Sequence, residues 1–205
     1  MLDIFNILMG KIKLPQKVKL ICGILLSEKW VLEKFDKTDI THAISLLNNQ
    51  IVTELNSNNL QLQLSVDLQS SIINFNFTDY YKNELVENVL RYWISFLPNI
   101  SLENLWKIKI VTNNIETNFF SDEKHLRKVN VDPGYVESSK LVLFTTKNYS
   151  HRIYLAEGIY AENTLIYSNK KFEPLPWTYP DYKIPESINF FSTIRKKLIC
   201  ENKNE

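Results

Sequence analysis

Residues 17–27, KVKLICGILLS, form a short apolar run bounded by polar positions, and this run predicts a buried strand. Further on, Ile40, Ile44, Leu47, Ile51 and Leu55 recur at spacings of three and four, the mark of one face of an amphipathic helix. Asp39 or Thr41 supplies its N-cap, and His42 falls off the stripe, on the solvated side. After the Asn-rich stretch 56–59 the period drops to two: Leu60, Leu62, Leu64, Val66 and Leu68 alternate with polar residues as in a half-buried strand. SIINFNF (71–77) reads as its hairpin partner, residues 80–89 as a short helical piece, and RYWISFL (91–97) as a further strand.

Ser101 opens a second predicted helix, 102–119, whose core face is Leu105, Ile108, Val111, Ile115 and Phe119. Lys109, Asn113 and Glu116 share a second stripe beside the apolar one, a position that favours half-buried, salt-bridged side chains. From 127 to 175 short strands and turn residues predict a β-meander. A Pro- and aromatic-rich ordered loop follows at 175–185, then a final helix from Pro185 to Leu198 with Ile188, Phe191, Ile194 and Leu198 facing the core. The expected class is α+β: a mostly antiparallel sheet with two to three helices packed on one face, compatible with a ferredoxin-like core extended by the C-terminal meander. The chain is read as one domain over 1–205, with 1–16 a poorly ordered N-terminal arm and 200–205 a tail.

Composition narrows the function classes. A net charge of +1 and no block of like charges remove the usual footprint of a nucleic-acid binder. No stretch approaches the roughly 20 apolar residues of a membrane span, and the N-terminus has neither a basic leader nor a small-residue cleavage site. The expectation is a cytoplasmic protein with no membrane partner. Cys22 and Cys200, far apart and without a neighbouring Cys or His motif, read as free thiols. With only 4 glycines the chain has neither a P-loop nor a dinucleotide-binding fingerprint, and serine-hydrolase and zinc-protease motifs are missing too. No cofactor or oligomeric state is indicated.

Two stretches carry candidate chemistry. In NVDPGY (130–135), Pro133-Gly134 fits the centre of a type II turn, with Asp132 as a carboxylate held at a strand end and Asn130 and Tyr135 beside it. In KNYSHRIYLAEGIYAENT (147–164), a hairpin around Glu157-Gly158 puts His151 opposite Thr164 and Ile153 opposite Glu162. His151 and Glu162 are then diagonal neighbours on one face, while Arg152 points to the other. A carboxylate beside a histidine fixes its tautomer and raises its pKa, which suits acid–base work. The pair together with Asp132 also offers ligand types that zinc or manganese accept, although no metal is assigned.

The blocks FTDYYKNEL, KIVTNNIE, RKVNVDPGY, KLVLFTTKNYSHRIYLAEGIYAENTL and WTYPDY resemble those of the bacterial domain-of-unknown-function 4416 family. The resemblance runs from about Lys17 to the final helix, and implies a small soluble prokaryotic protein without a known activity. It also implies a set of matching polar and aromatic positions that serve a site: Thr78, Tyr80, Tyr81, Glu84, Arg91, Asn113, Glu116, Asn130, Asp132, Tyr135, Lys147, His151, Arg152, Tyr154, Glu162, Trp177, Tyr179, Asp181 and Tyr182.

Two functional expectations follow. One is an enzyme or ligand-binding protein for a small anionic, phosphate- or nucleotide-like metabolite. Its acid–base pair is His151 and Glu162, with Asp132 a second carboxylate. Lys147 and Arg152 bind the anion; Asn130, Tyr135, Tyr80, Tyr81, Trp177 and Tyr179 line or cover the site. The alternative is a non-enzymatic interaction module that docks a partner through the Pro/aromatic segment 175–182. Convergence of His151, Asp132, Lys147 and Glu162 on a concave surface favours the first; dispersal on a flat sheet favours the second.

Overall fold

The computed structural model describes residues 12–77, 85 and 88–203. Strand β1 (Lys19–Ser27) is buried at every position, as its apolar run requires. A short helix α1 (Glu28–Lys34) follows directly; with Val31 as its one buried residue it carries almost no periodic signal. In α2 (Ile40–Ser57) the stripe Ile44, Leu47, Ile51 and Leu55 is buried, and the Asp39 carboxylate caps the helix by accepting from the Thr41 and His42 amides. Each such aliphatic side chain contributes about 1.5–3 kcal/mol by leaving water.

The next strands are β2 (Ser65–Gln69), β3 (Ile73–Asn74) and β4 (Val89–Leu97). β2 and β3 are not hairpin partners: both pair with β4, at opposite ends of its length. The expected helical piece at 80–89 and its Tyr80 and Tyr81 lie almost wholly outside the described residues. Helix α3 (Lys107–Phe119) begins later than the apolar spacing suggests. Asn104 adopts a left-handed φ of 59°, so Ser101 caps a preceding turn through the Glu103 amide instead of the helix. At its far end Phe120 takes the core place expected of Phe119.

The remainder comprises β5 (Val129–Val136), β6 (Lys140–Thr145), β7 (Arg152–Ala156), β8 (Ile159–Ser168), β9 (Lys171–Pro174), α4 (Pro180–Lys183) and α5 (Pro185–Glu201). The strands form one antiparallel sheet in the order β2-β4-β1-β5-β6-β8-β7, with β3 added beside β4 and β9 beside β8. The strands β1, β2, β4 and β5, with α2 and α3 as the connections, give the order β5-β1-β4-β2. This is the βαββαβ arrangement of a ferredoxin-like core.

Two finer expectations are corrected. The C-terminal strands are not a simple meander, because β6 pairs with β8 and β7 lies outside it as an edge. Nor are all helices on one face. Leu20, Cys22, Ile24 and Leu26 point from β1 into a core shared with α1, α2 and α3. Ile21, on the opposite side of the pleat, joins Trp93, Val136 and Leu141 under Phe191 and Ile194 of α5. The apolar stripe of α5 was legible; the face it covers was not.

A third correction shapes the site. Pro133 and Gly134 form no turn: they run inside β5, opposite Cys22 and Ile21 of β1. The ladder from β5 to β6 joins Val136, Tyr135 and Gly134 to Leu141, Val142 and Leu143, and stops there. Alternate residues of a strand send their amides to opposite neighbours, so the next bond to β6 would have to start from Pro133, which has no N–H. The sheet therefore forks between β5 and β6. Gly134 sits at the root of the fork, where a Cβ would stand 2.2 Å from the Val142 carbonyl oxygen.

Candidate functional site

A cleft of about 550 Å³ opens above the fork, on the half of the α5 face that α5 leaves uncovered. Its floor is the sheet itself. Leu25 and Gly23 of β1, Arg91 of β4 and Asn130 and Asp132 of β5 share this face by register. At Gly23 a Cβ would meet the Tyr182 phenol oxygen at 2.7 Å and an Arg91 guanidinium nitrogen at 2.8 Å. The glycine is thus what lets Arg91 lie across β1. An arginine that is only 2% exposed needs a counter-charge, and Asp181 of α4 supplies it at 2.9 Å from Nε. The guanidinium also lies 4.8 Å from the Trp93 ring and 5.2 Å from the Tyr182 ring. Burial raises the Asp181 carboxyl above its usual range, with Arg91 opposing the rise.

The β5 wall is wired to α3 across the open fork. The unpaired strand edge presents the Val131 amide, which donates to Glu116 Oε1 at 2.8 Å, and the Val131 carbonyl, which accepts from Lys109 Nζ at 3.3 Å. Lys109 also reaches Asp132 Oδ1 at 3.2 Å, and Asn130 Nδ2 donates to Asp132 Oδ2 at 2.7 Å. Arg127 joins Glu116 Oε2 and Asn130 Oδ1 at 2.7 and 3.0 Å. Burial works to raise the Asp132 carboxyl, yet Lys109 and Arg91 hold it below its ordinary value. Glu116 goes the other way: its burial outweighs Lys109 and raises it.

The opposite wall is the β7–β8 hairpin. Glu157 and Gly158, at φ 47° and 79°, make the expected tight turn between Ala156 and Ile159. Leu155 is then extra, and the register shifts by one residue. Arg152, not Ile153, faces Glu162, which removes the expected separation of Arg152 from the Glu162 face. Glu162 Oε2 accepts from Arg152 Nε at 2.8 Å and stands 3.1 Å from His151 Nε2. Its Oε1 is buried and has no hydrogen-bond partner among the described residues. Arg152 further donates to the Lys147 carbonyl and the Tyr179 hydroxyl, each at 3.0 Å. Burial raises the Tyr179 phenol, helped by Glu162 and opposed by Arg152, so it remains a proton-bearing group at neutral pH.

The expected site residues therefore divide. Asp132, Asn130, Lys147, Arg152, Glu162 and Tyr179 line one cleft. His151 stands behind Glu162, stacked on Trp177 at 4.8 Å between ring centres, and neither ring is part of the lining. Trp177 instead donates from its indole N–H to the Asn163 carbonyl at 2.8 Å, bracing the hairpin. Tyr135 packs toward the first core against Phe144 at 5.8 Å, where burial and Glu137 push its phenol up to about 12. Asp132 has both oxygens engaged by Lys109 and Asn130, which leaves it poorly placed as a metal ligand. Among the described residues no three His, Cys, Asp or Glu side chains gather to hold an ion.

Arg91, Asp181 and Tyr182 entered the expectation only through the family resemblance. Arg127 was not singled out, and Lys109 was read only as a border salt bridge. One signal was present: an arginine inside the apolar strand VLRYWISFL must find a buried counter-charge. Of the chain's four arginines (Arg91, Arg127, Arg152 and Arg195) three line the cleft.

A forked, ferredoxin-like sheet carrying a charged cleft defines the structural class. The chain belongs to the family described as a domain of unknown function (DUF4416), which matches residues 36–198. Comparison with curated proteins and comparison with solved structures each return no match. Among the described residues no helix is long and apolar enough to cross a membrane.

Proposed function

We propose that the cleft binds a small anionic metabolite and presents Glu162 to it as the acid–base group. The observation that carries this reading is the convergence of Arg91, Lys147 and Arg152 with Glu162 and Asp132 on one concave surface, built from strands far apart in sequence. Guanidinium groups fixed by carboxylates and aromatic rings are preorganised for a carboxylate or phosphate. Arg152 Nη1 and Nη2 each keep a second N–H after their bonds to Lys147 and Tyr179. In this reading His151 is a positioning residue, which holds Glu162 by its Oε2 and offers a route for a proton behind the cleft. The segment 175–182 favours the same reading over a docking surface. Thr178 is buried and bonded to the Thr164 carbonyl at 2.5 Å, while Asp181 and Tyr182 are committed to Arg91 and the core.

A thermal-shift series with inorganic phosphate, pyrophosphate and malonate tests the proposal on wild type, Lys147→Gln and Arg152→Lys. An anion present at 100 times its dissociation constant stabilises the fold by about 2.7 kcal/mol. The expected result is a rise in Tm for wild type that shrinks in both variants. A rise that is the same in all three proteins, or none in any, overturns it.

A further inference from the structure

The lining of the cleft changes along the strand order, and one end differs from the rest by having aromatic side chains without a charged one among them. Phe75 and Phe77 follow β3, packed edge to face at 5.5 Å, and Leu25 of β1 adjoins Phe75 in a small apolar cluster. Phe77 is 39% exposed, so its ring presents apolar surface at that end of the cleft. Across β4, β1 and β5 the floor turns polar, with Arg91, Asn130 and Asp132. Beyond the fork come Thr145, Thr146 and Lys147 at the end of β6, then Glu162 and Arg152. From β3 to β5 there are three paired inter-strand steps, roughly 14 Å at about 4.8 Å each, and the open fork separates β5 from the end of β6 beyond them. The site thus has an aromatic end at Phe77, a middle where Arg91, Lys109 and Arg127 stand among Asn130 and Asp132, and a far end where Lys147 and Arg152 meet Phe144 and Tyr179.

Resting on the anion-binding reading above, we infer that the ligand is nucleotide-shaped. A flat ring lies against Phe77 and Leu25, a hydroxyl-bearing spacer crosses Asn130 and Asp132, and a phosphate or carboxylate meets Lys147 and Arg152. Each part matches the groups beneath it. A ring gains by covering an aromatic side chain, and the anion takes the guanidinium and ammonium donors. Hydroxyls donate to the second lone pairs that the Asp132 oxygens and Asn130 Oδ1 keep beside their bonds to Lys109, Asn130 and Arg127. A compact anion would use only one end and leave the Phe77 ring in water. The cleft volume of about 550 Å³ lies within the range that accepts a ligand of this size.

Isothermal titration with a matched set separates the ends: ribose 5-phosphate (anion and spacer), adenosine (ring and spacer) and adenosine 5′-monophosphate (all three). Wild type and Phe77→Ser are compared; the side chain is partly exposed, so the variant should fold. The expected result is that the ring tightens binding of the monophosphate over ribose 5-phosphate by about threefold to tenfold, and that Phe77→Ser removes this gain without weakening ribose 5-phosphate. Equal binding of the two phosphates, or a ring gain that survives Phe77→Ser, overturns the inference and leaves the anion site standing. No binding of either phosphate to wild type overturns both readings.

Discussion

The two faces of the sheet meet different fates on the same strand. On one side of β1, Leu20, Cys22, Ile24 and Leu26 are sealed under three helices in an apolar core. On the other, Ile21 is covered by α5, Gly23 lies beneath Arg91 and Tyr182, and Leu25 lines the cleft. The sealed face holds its helices by area removed from water, a non-directional force that tolerates exchange of similar side chains. The open half-face is held by charge pairs whose members come from β4, β5, β7, β8, α3, α4 and, with Arg127, the approach to β5, and each of these pairs depends on geometry. The two faces therefore differ in what they tolerate: one can be repacked, whereas the other can be broken by a single uncompensated charge.

Removing the buried counter-charge breaks the comparison most sharply. Arg91→Ala leaves Asp181 buried and unpaired, and a loss of about 3–5 kcal/mol in urea unfolding is expected. The double change Arg91→Met with Asp181→Leu removes both charges together. It should recover most of that stability while still abolishing anion binding, which would show that the pair is retained for the cleft. Gly134→Ala should come next, at about 1–3 kcal/mol, because its Cβ collides with backbone at the root of the fork, where no rotamer change can make room.

The smallest effect concerns pH. Asp132 titrates below its ordinary value in the folded state, so the stability it contributes is present above about pH 4 and is lost as pH falls through its lowered pKa. Glu116 and Asp181, both raised, work in the opposite sense: their contribution is full below their ordinary values and lost as pH rises through the raised ones. Asp132→Asn should therefore flatten the acid limb of a stability–pH profile below pH 4 relative to wild type, a difference that urea titrations across that range would read.

Much of the sealed face was legible because periodicity reports burial. The stripe of α2 and the run of β1 follow directly from spacing, as does the stripe of α5 on the opposite face. The open face was legible only as isolated residues. His151, Glu162, Asp132, Lys147 and Arg152 stand out by type, but their arrangement depends on two one-residue events. Pro133 was read as a turn because Pro-Gly favours one; inside β5 its missing N–H instead ends a ladder and opens the fork. Leu155 was counted as a paired residue, and as a bulge it swaps Arg152 for Ile153 opposite Glu162. Pairing partners are set by non-local contacts, which a single chain's alternation does not encode. The α3 stripe of Lys109 and Glu116 was read as salt-bridged, and at 4.0 Å the two are neighbours. That these side chains also reach the unpaired edge of β5 could not be seen without the fork.

Anion binding at the forked half-face, as proposed, is a property that the arginine side chains can report individually. Of the four arginines, Arg195 lies outside the cleft, with its guanidinium over Tyr167 and its Nε donating to the Ser138 carbonyl at 2.6 Å. An NMR titration of the arginine Nε–H resonances with ribose 5-phosphate should move Arg152 and Arg91 in a saturable way and leave Arg195 in place. Movement of Arg195 with Arg152 and Arg91 unchanged would contradict the account.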